Sequence, residues 1–152
     1  MRYAYPCDVV PDEEETRLTG REAYNASFPD VHGAHTCGST VEEITNRLQD
    51  CLEVALGGYL HDSEDLPEPS DAAPGQVLIA VSPAVAARLA LYTAMRSQGV
   101  TAQSLAVRLG VRPARVRRLI DPYGRVKLPS LEAALAALGV SLVAEAVPSA
   151  QL

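Results

Sequence analysis

The amino-acid sequence predicts an α+β domain in the order βββαβ, followed by an all-α domain in which two short helices meet across a tight turn. Three observations lead there. Up to about residue 80, short runs rich in Val and Tyr are separated by Pro, Gly and Asp and interrupted by one long amphipathic stretch. From Ser82 onward the apolar residues recur at helical spacing, with Gly99, Gly110 and Gly139 as stops. Charge also changes sign between the halves. Residues 1–80 hold four arginines against sixteen acidic residues, a net −12, whereas residues 81–152 hold nine basic against three acidic, a net +6. The expected domains are residues 1–80 and 82–147. Opposite charges predict different partners, something basic for the first and something polyanionic for the second.

The elements follow in order. Tyr3–Val10 reads as a strand, Pro11–Thr19 as a charged turn, and Ala23–Phe28 as a second strand forming a hairpin with the first. Pro29-Asp30 and Gly33 make a turn into a short third strand, Ala34–Cys37. Thr40 with Glu43 three residues later has the form of a capping box. Val41, Ile44, Leu48, Leu52, Ala55 and Tyr59 then share one face of a helix ending near Gly57–Leu60. His61–Gly75 is polar, carries three prolines, and reads as a loop or linker. Val77–Val81 is a buried strand by composition. Ser82-Pro83 opens a helix with Val85, Leu89 and Tyr92 on one face.

Bulk composition narrows the class. Apolar residues make up 47% of the chain, but with no Trp and one Phe the core must come from Leu, Val, Ile and Ala. No apolar run approaches the roughly 20 residues that span a bilayer, and Met1–Pro6 lacks a signal-peptide core, so a cytoplasmic protein without a membrane partner is expected. Cys7, Cys37 and Cys51 are odd in number and lack paired spacing, which reads as free thiols.

Thr101–Asp121 is the most informative stretch. Thr101 caps a helix carrying Leu105, Ala106 and Leu109; Gly110-Val111 makes the turn; a second helix carries Val116, Leu119 and Ile120. Helices crossing at about 90–120° need a small residue where they touch, which Ala106 supplies, and the turn needs a residue tolerant of positive φ, which is Gly110. Ala106, Gly110 and Val116 have helix-turn-helix spacing, and the stretch resembles that motif in the phage Cro repressor class. Arg112, Ala114, Arg115, Arg117 and Arg118 are the exposed positions of the second helix. Guanidinium forks suit guanine edges and phosphates, and this motif places the start of the second helix against the bases. Arg115 with Arg118 or Arg112 is therefore expected at base edges, and Gln103, Arg117, Arg125 and Lys127 at phosphates. Pro129–Gly139 forms a covering helix through Leu131, Leu135 and Leu138, and Ser141–Glu145 a short closing strand.

Pro29–Ile44, PDVHGAHTCGSTVEEI, resembles the signature of the HicB antitoxin family at Pro29, Asp30, Val31, Gly33, Thr36, Gly38, Thr40, Glu42 and Glu43. Leu66–Ser70 and the strand at Val77–Val81 are similar to segments of that family, and Arg117–Pro122 resembles its subgroup with a Cro-type helix-turn-helix. Ala34 and Ile44 depart from residues common in the family, and the hairpin loop is unusually acidic. The resemblance implies a partial RNase H-like fold for the first domain, which would bind and neutralise a small basic HicA-type toxin that cleaves mRNA. It implies a second domain that binds operator double-stranded DNA and represses its own operon, as a homodimer or higher homo-oligomer. Asp12, Glu13, Glu14, Glu15 and Asp30 are the candidate toxin-binding residues, because carboxylates compete for sites meant for phosphates.

Two other readings stay open beside an antitoxin without enzymatic activity. One is a solitary HicB-like transcriptional regulator with no toxin. The other is a metal-dependent RNase H-like nuclease built on Asp8, Asp12, Glu13–Glu15, Asp30, Glu42 and Glu43. The charge run reads better as a solvated turn, and Asp30 as a turn residue bonding backbone amides. His32, His35 and Cys37 are metal-ligand types with no evident fourth ligand. No catalytic residue, metal or cofactor is expected.

Overall fold

The computed structural model describes residues 2–146, in the order β1 (Ala4–Pro11), α1 (Glu13–Thr19), β2 (Tyr24–Ser27), β3 (His35–Gly38), α2 (Val41–His61), β4 (Val77–Ala80), α3 (Pro83–Ser97), α4 (Ala102–Leu109), α5 (Pro113–Ile120) and α6 (Leu128–Ala137). The fold is α+β, with one four-stranded antiparallel sheet and, among the described residues, six helices.

The sheet order is β3-β2-β1-β4. β1 divides its length between two neighbours: Ala4–Cys7 pair with Val77–Ala80 of β4, and Asp8–Pro11 pair with Tyr24–Ser27 of β2. That division accommodates Pro6. It has no N–H to give a second partner and lies where β1 pairs only with β4. Ala4–Cys7 are all buried, so this half of β1 is core rather than a half-solvated strand.

The acidic segment after β1 departs from expectation. Residues 13–19 form a helix, not a turn, so the order of the first part is βαββαβ. Asp12 caps α1 by accepting from the Glu15 N–H at 2.9 Å, three glutamates sit in the first turn where the helix dipole favours them, and Gly20 closes the helix at φ 70°. The helix buries no residue, so it carries no apolar periodicity to betray it. Its cap and its middle are both tied to Ala23, just before β2: Asp12 N–H donates to the Ala23 carbonyl and Ala23 N–H to Thr16 Oγ1.

α2 begins with half of the expected capping box, and its other half is shifted to the residue before the cap. The Glu43 N–H donates to Thr40 Oγ1, and the Glu43 carboxylate accepts from the Ser39 N–H at 2.8 Å. Its fully buried residues are Ile44, Leu48, Leu52 and Leu56, a run of four-residue steps continued by Leu60. Ala55 and Tyr59 are half-buried and Val41 is exposed, so the buried stripe runs beside the one expected.

The chain divides into two compact units, and the boundary falls inside α2 after Leu56. Among the described residues, one unit comprises 2–56 and 67–81. The other comprises 57–66 and 82–146. The outer ends of the expected ranges, residues 1 and 147, lie outside the described residues. The loop after α2 is tied separately to each unit. In residues 57–66, Arg96 binds Asp65 and the Ser63 carbonyl, and the Tyr92 hydroxyl donates to the Glu64 carbonyl. In residues 67–76, the Pro67 carbonyl accepts from the Tyr5 hydroxyl and Gln76 donates to Asp8.

The helical unit is organised around Leu91, Leu105, Ala106, Val116, Leu131, Ala134 and Leu135, each 1% exposed or less. α4 starts on a reciprocal Thr101–Ser104 capping box and ends at Gly110, φ 65°. Fully burying a Leu or Val side chain contributes about 1.5–3 kcal/mol, so this cluster accounts for the packing of four short helices that would not be stable singly. The expected closing strand at Ser141–Glu145 has no regular structure. Residues 141–146 are all exposed, so no apolar burial favours pairing there.

Candidate functional site

Two surfaces of opposite charge emerge, one in each unit. The basic one centres on α5. Pro113 occupies its first turn, where a missing N–H costs nothing, and Arg112 is the N-cap residue rather than a helical one. Val116 is fully buried and Leu119 is 5% exposed, which pins one side of the helix to the core. Ala114, Arg115, Arg117 and Arg118 are all exposed, as is Arg112. The helix thus separates an apolar side from a row of guanidinium groups, an arrangement able to meet phosphates or the acceptor edge of guanine.

Gln103 is exposed in the first turn of α4, and Arg108, absent from the sequence-derived candidates, is exposed in its last turn. Between α5 and α6 the chain alternates strictly. Asp121, Tyr123, Arg125 and Lys127 are exposed, while Pro122, Gly124, Val126 and Leu128 are partly buried. Sequence reasoning also missed Arg88 of α3, which is 8% exposed and donates to the carbonyls of Pro122, at 2.9 Å, and Gly124. A lone charge in the apolar run PAVAARLALY was the available signal.

The acidic surface is built differently from the expected one. Glu13, Glu14 and Glu15 stand exposed together on the first turn of α1. Asp12 plays a structural part, since besides capping α1 it accepts from the Asn25 side chain at 2.7 Å. The Glu15 N–H, then the Asn25 amide, hold its carboxyl below the usual carboxylate range. Asp30 belongs to the turn between β2 and β3, apart from α1 in sequence, and accepts from the Ser70 N–H at 2.8 Å and hydroxyl at 3.0 Å. It anchors the Pro-rich segment, as a turn aspartate bonding a backbone amide was expected to do.

A groove of about 390 Å³ lies between β3 and α2, lined by residues including His35, Thr36, Arg47, Asp50, Cys51 and Val54. Arg47 spans it, paired with Glu43 and donating to the Cys37 carbonyl at 2.9 Å. His32, His35 and Cys37 are exposed. Among the described residues no three His, Cys, Asp or Glu side chains are grouped so as to hold a metal ion. All three cysteines are free thiols; burial pushes the Cys7 thiol up to about 12, and desolvation also raises that of Cys51. No described helix is long and apolar enough to cross a membrane.

Comparison with known proteins brings these surfaces into one context. The family described as "HicB_like antitoxin of bacterial toxin-antitoxin system" matches residues 4–90. The chain is 31% identical over 138 residues to Antitoxin HicB of Escherichia coli (strain K12), covering 91% of this chain and 95% of that protein. It is 33% identical over 115 residues to Antitoxin HicB 2 of Photorhabdus laumondii subsp. laumondii, covering 76% and 81%. It is likewise 33% identical over 115 residues to Antitoxin HicB of Pseudomonas fluorescens (strain Pf0-1), covering 75% and 77%.

Proposed function

Since this chain belongs to the HicB antitoxin family, we propose that it neutralises a HicA-type mRNA-cleaving toxin through its acidic unit and represses its own operon through its basic one. The observation that carries this is the way charge divides between the two units. The unit containing the sheet holds four basic and thirteen acidic residues, a net −9, and most of it lies within the family match. The helical unit holds nine basic and six acidic residues, a net +3, with Arg112, Arg115, Arg117 and Arg118 exposed at α5.

In this reading the first unit is a partial RNase H-like fold used as a protein-binding platform. Glu13, Glu14 and Glu15 supply the field that steers a basic ribonuclease and occupies its phosphate sites, while Asp12 and Asp30 hold the backbone that presents them. α4 and α5 act as a helix-turn-helix. Arg115, with Arg112 or Arg118, reads base edges, and Gln103, Arg117, Arg125 and Lys127 grip phosphates. Ala114 leaves room for the backbone to approach the groove. The chain acts in the cytoplasm as a homodimer or higher homo-oligomer, because two half-sites are read by symmetric copies.

The test is co-purification of tagged full-length chain with the small basic protein encoded beside it, together with binding to a duplex from its own promoter. A stoichiometric complex and a shifted duplex are the expected results. A shifted duplex with no partner leaves a solitary regulator, and failure of both overturns the reading.

A further inference from the structure

We propose that Arg88 is a positioning residue for nucleic-acid binding: it sets which side of the segment after α5 faces outward, and so aims Arg125 and Lys127. This inference rests on the DNA-binding reading and adds to it a residue that need not touch DNA.

A buried guanidinium must find acceptors for its N–H donors. Arg88 is 8% exposed on α3, with Leu89 and Leu91 buried beside it in sequence. Withdrawing a charge from water is costly unless its N–H groups are well matched, so the positions of its partners are held tightly. Those partners include two backbone carbonyls, of Pro122 and Gly124, residues two apart in the chain. Both carbonyls are thereby turned inward toward one group.

Exposure alternates from the turn at residues 122–124, through residues 125–127, to Leu128 at the start of α6. Pro122, Gly124, Val126 and Leu128 are partly buried, and Val126 and Leu128 pack on the core of the helical unit. The intervening Tyr123, Arg125 and Lys127 are exposed. Arg125 and Lys127 flank Val126, which packs on the core, so a shift of the preceding turn would move both cations out of their exposed positions. Arg88 fixes the start of the alternation. The turn ahead of it is fixed too: Tyr123 N–H donates to Asp121 Oδ1 at 3.0 Å and Gly124 N–H to the Asp121 carbonyl at 3.1 Å. At Gly124 a Cβ would stand 3.2 Å from the Arg118 carbonyl, so the segment follows the end of α5 closely. One guanidinium thus couples α3 to the register of the two cations that follow α5.

The experiment measures affinity of the full chain for a labelled duplex from its own upstream region, and for a scrambled duplex, over a series of salt concentrations. Arg88→Ala and Arg88→Lys are compared with wild type well below their melting temperatures, with folding checked by circular dichroism. For Arg88→Ala the dependence of log K on log salt is expected to flatten by roughly one to two, the loss of one or two phosphate contacts. Affinity should fall roughly tenfold on both duplexes alike, because phosphates carry no sequence. Arg88→Lys, able to serve one carbonyl well, should fall between. A folded Arg88→Ala with an unchanged salt slope overturns the proposal, since loss of stability alone does not alter the number of phosphates gripped.

If Arg88→Ala does not fold, Arg88→Lys is combined with Arg125→Ala and Lys127→Ala. Losses that overlap support the proposal, and strictly additive losses overturn it. Wild-type protein showing no salt-dependent binding to either duplex removes the DNA-binding reading itself, and this inference with it, an outcome distinct from any change in the variants.

Discussion

Two adjacent glycines in α2 separate helix propensity from packing. Gly57 and Gly58 both lie inside Val41–His61, so replacing either by Ala removes the same backbone penalty, about 0.5–1 kcal/mol in favour of the folded helix. At Gly58 an added Cβ meets nothing within 4 Å, and the whole gain should be realised. At Gly57 it would stand 3.1 Å from Cβ of Pro122. That ring has little room to yield, because the Pro122 carbonyl is held by Arg88. Crowding of this kind costs about 1–3 kcal/mol, enough to cancel the propensity gain or reverse it. Gly58→Ala should therefore raise stability by about 1 kcal/mol, seen as a rise of roughly 2–4 °C in Tm for a chain of this size. Gly57→Ala should be neutral or destabilising by up to about 2 kcal/mol. Thermal and urea denaturation followed by far-UV circular dichroism measure both. Equal stabilisation by the two variants, or a Gly57→Ala protein more stable than Gly58→Ala, would refute the close contact.

Four further outcomes follow from the surfaces and the thiols. Arg115→Ala should leave Tm unchanged, since the side chain is exposed, while weakening operator binding by about 1–3 kcal/mol in a titration against the cognate duplex. Replacing Glu13, Glu14 and Glu15 together by Lys should slow toxin association by roughly ten- to a thousandfold at low salt in stopped-flow measurements, with the difference shrinking as salt rises. A thiol reagent should modify exposed Cys37 first, Cys51 more slowly, and buried Cys7 only on unfolding. Because the folded Cys7 pKa lies near 12 and its ordinary value is 9.0, the unfolded chain gives up that proton first. The stability this group contributes is present in full below pH 9 and is lost as pH rises toward 12; a stability profile unmoved by Cys7→Ala in that window would contradict the assignment.

The parts of the fold legible in the sequence are those where burial imposes a period. β1, β2, β3 and β4 stand within a residue or two of their expected places, and α4, α5 and α6 follow their Leu, Val and Ala spacing. α1 escaped because Glu13–Thr19 buries nothing; its only signals were the Asp12 cap and Gly20. The buried stripe of α2 was misplaced by one residue at Ala55 and Tyr59, since three- and four-residue steps are both helical and only packing selects Leu56 and Leu60. For the candidate site, residue type and spacing marked the exposed arginines of α5, but could not tell Asp12 and Asp30, engaged with Asn25 and Ser70, from the exposed glutamates beside Asp12. Arg88 lay beyond the reach of spacing because its partners are carbonyls 34 and 36 positions away, which only the folded chain brings to it.

The division of labour between the units is tested most directly by growth of cells expressing a HicA-type toxin from the reading frame beside this chain's own. Full-length chain, a variant with Arg112, Arg115 and Arg118 replaced by Ala, and a variant with Glu13, Glu14 and Glu15 replaced by Lys are each co-expressed at matched levels from an unrelated promoter. Rescue is expected from wild type and from the arginine variant, and weakened rescue from the glutamate variant. Failure of wild type to rescue, or full rescue by the glutamate variant with none by the arginine variant, would contradict that division.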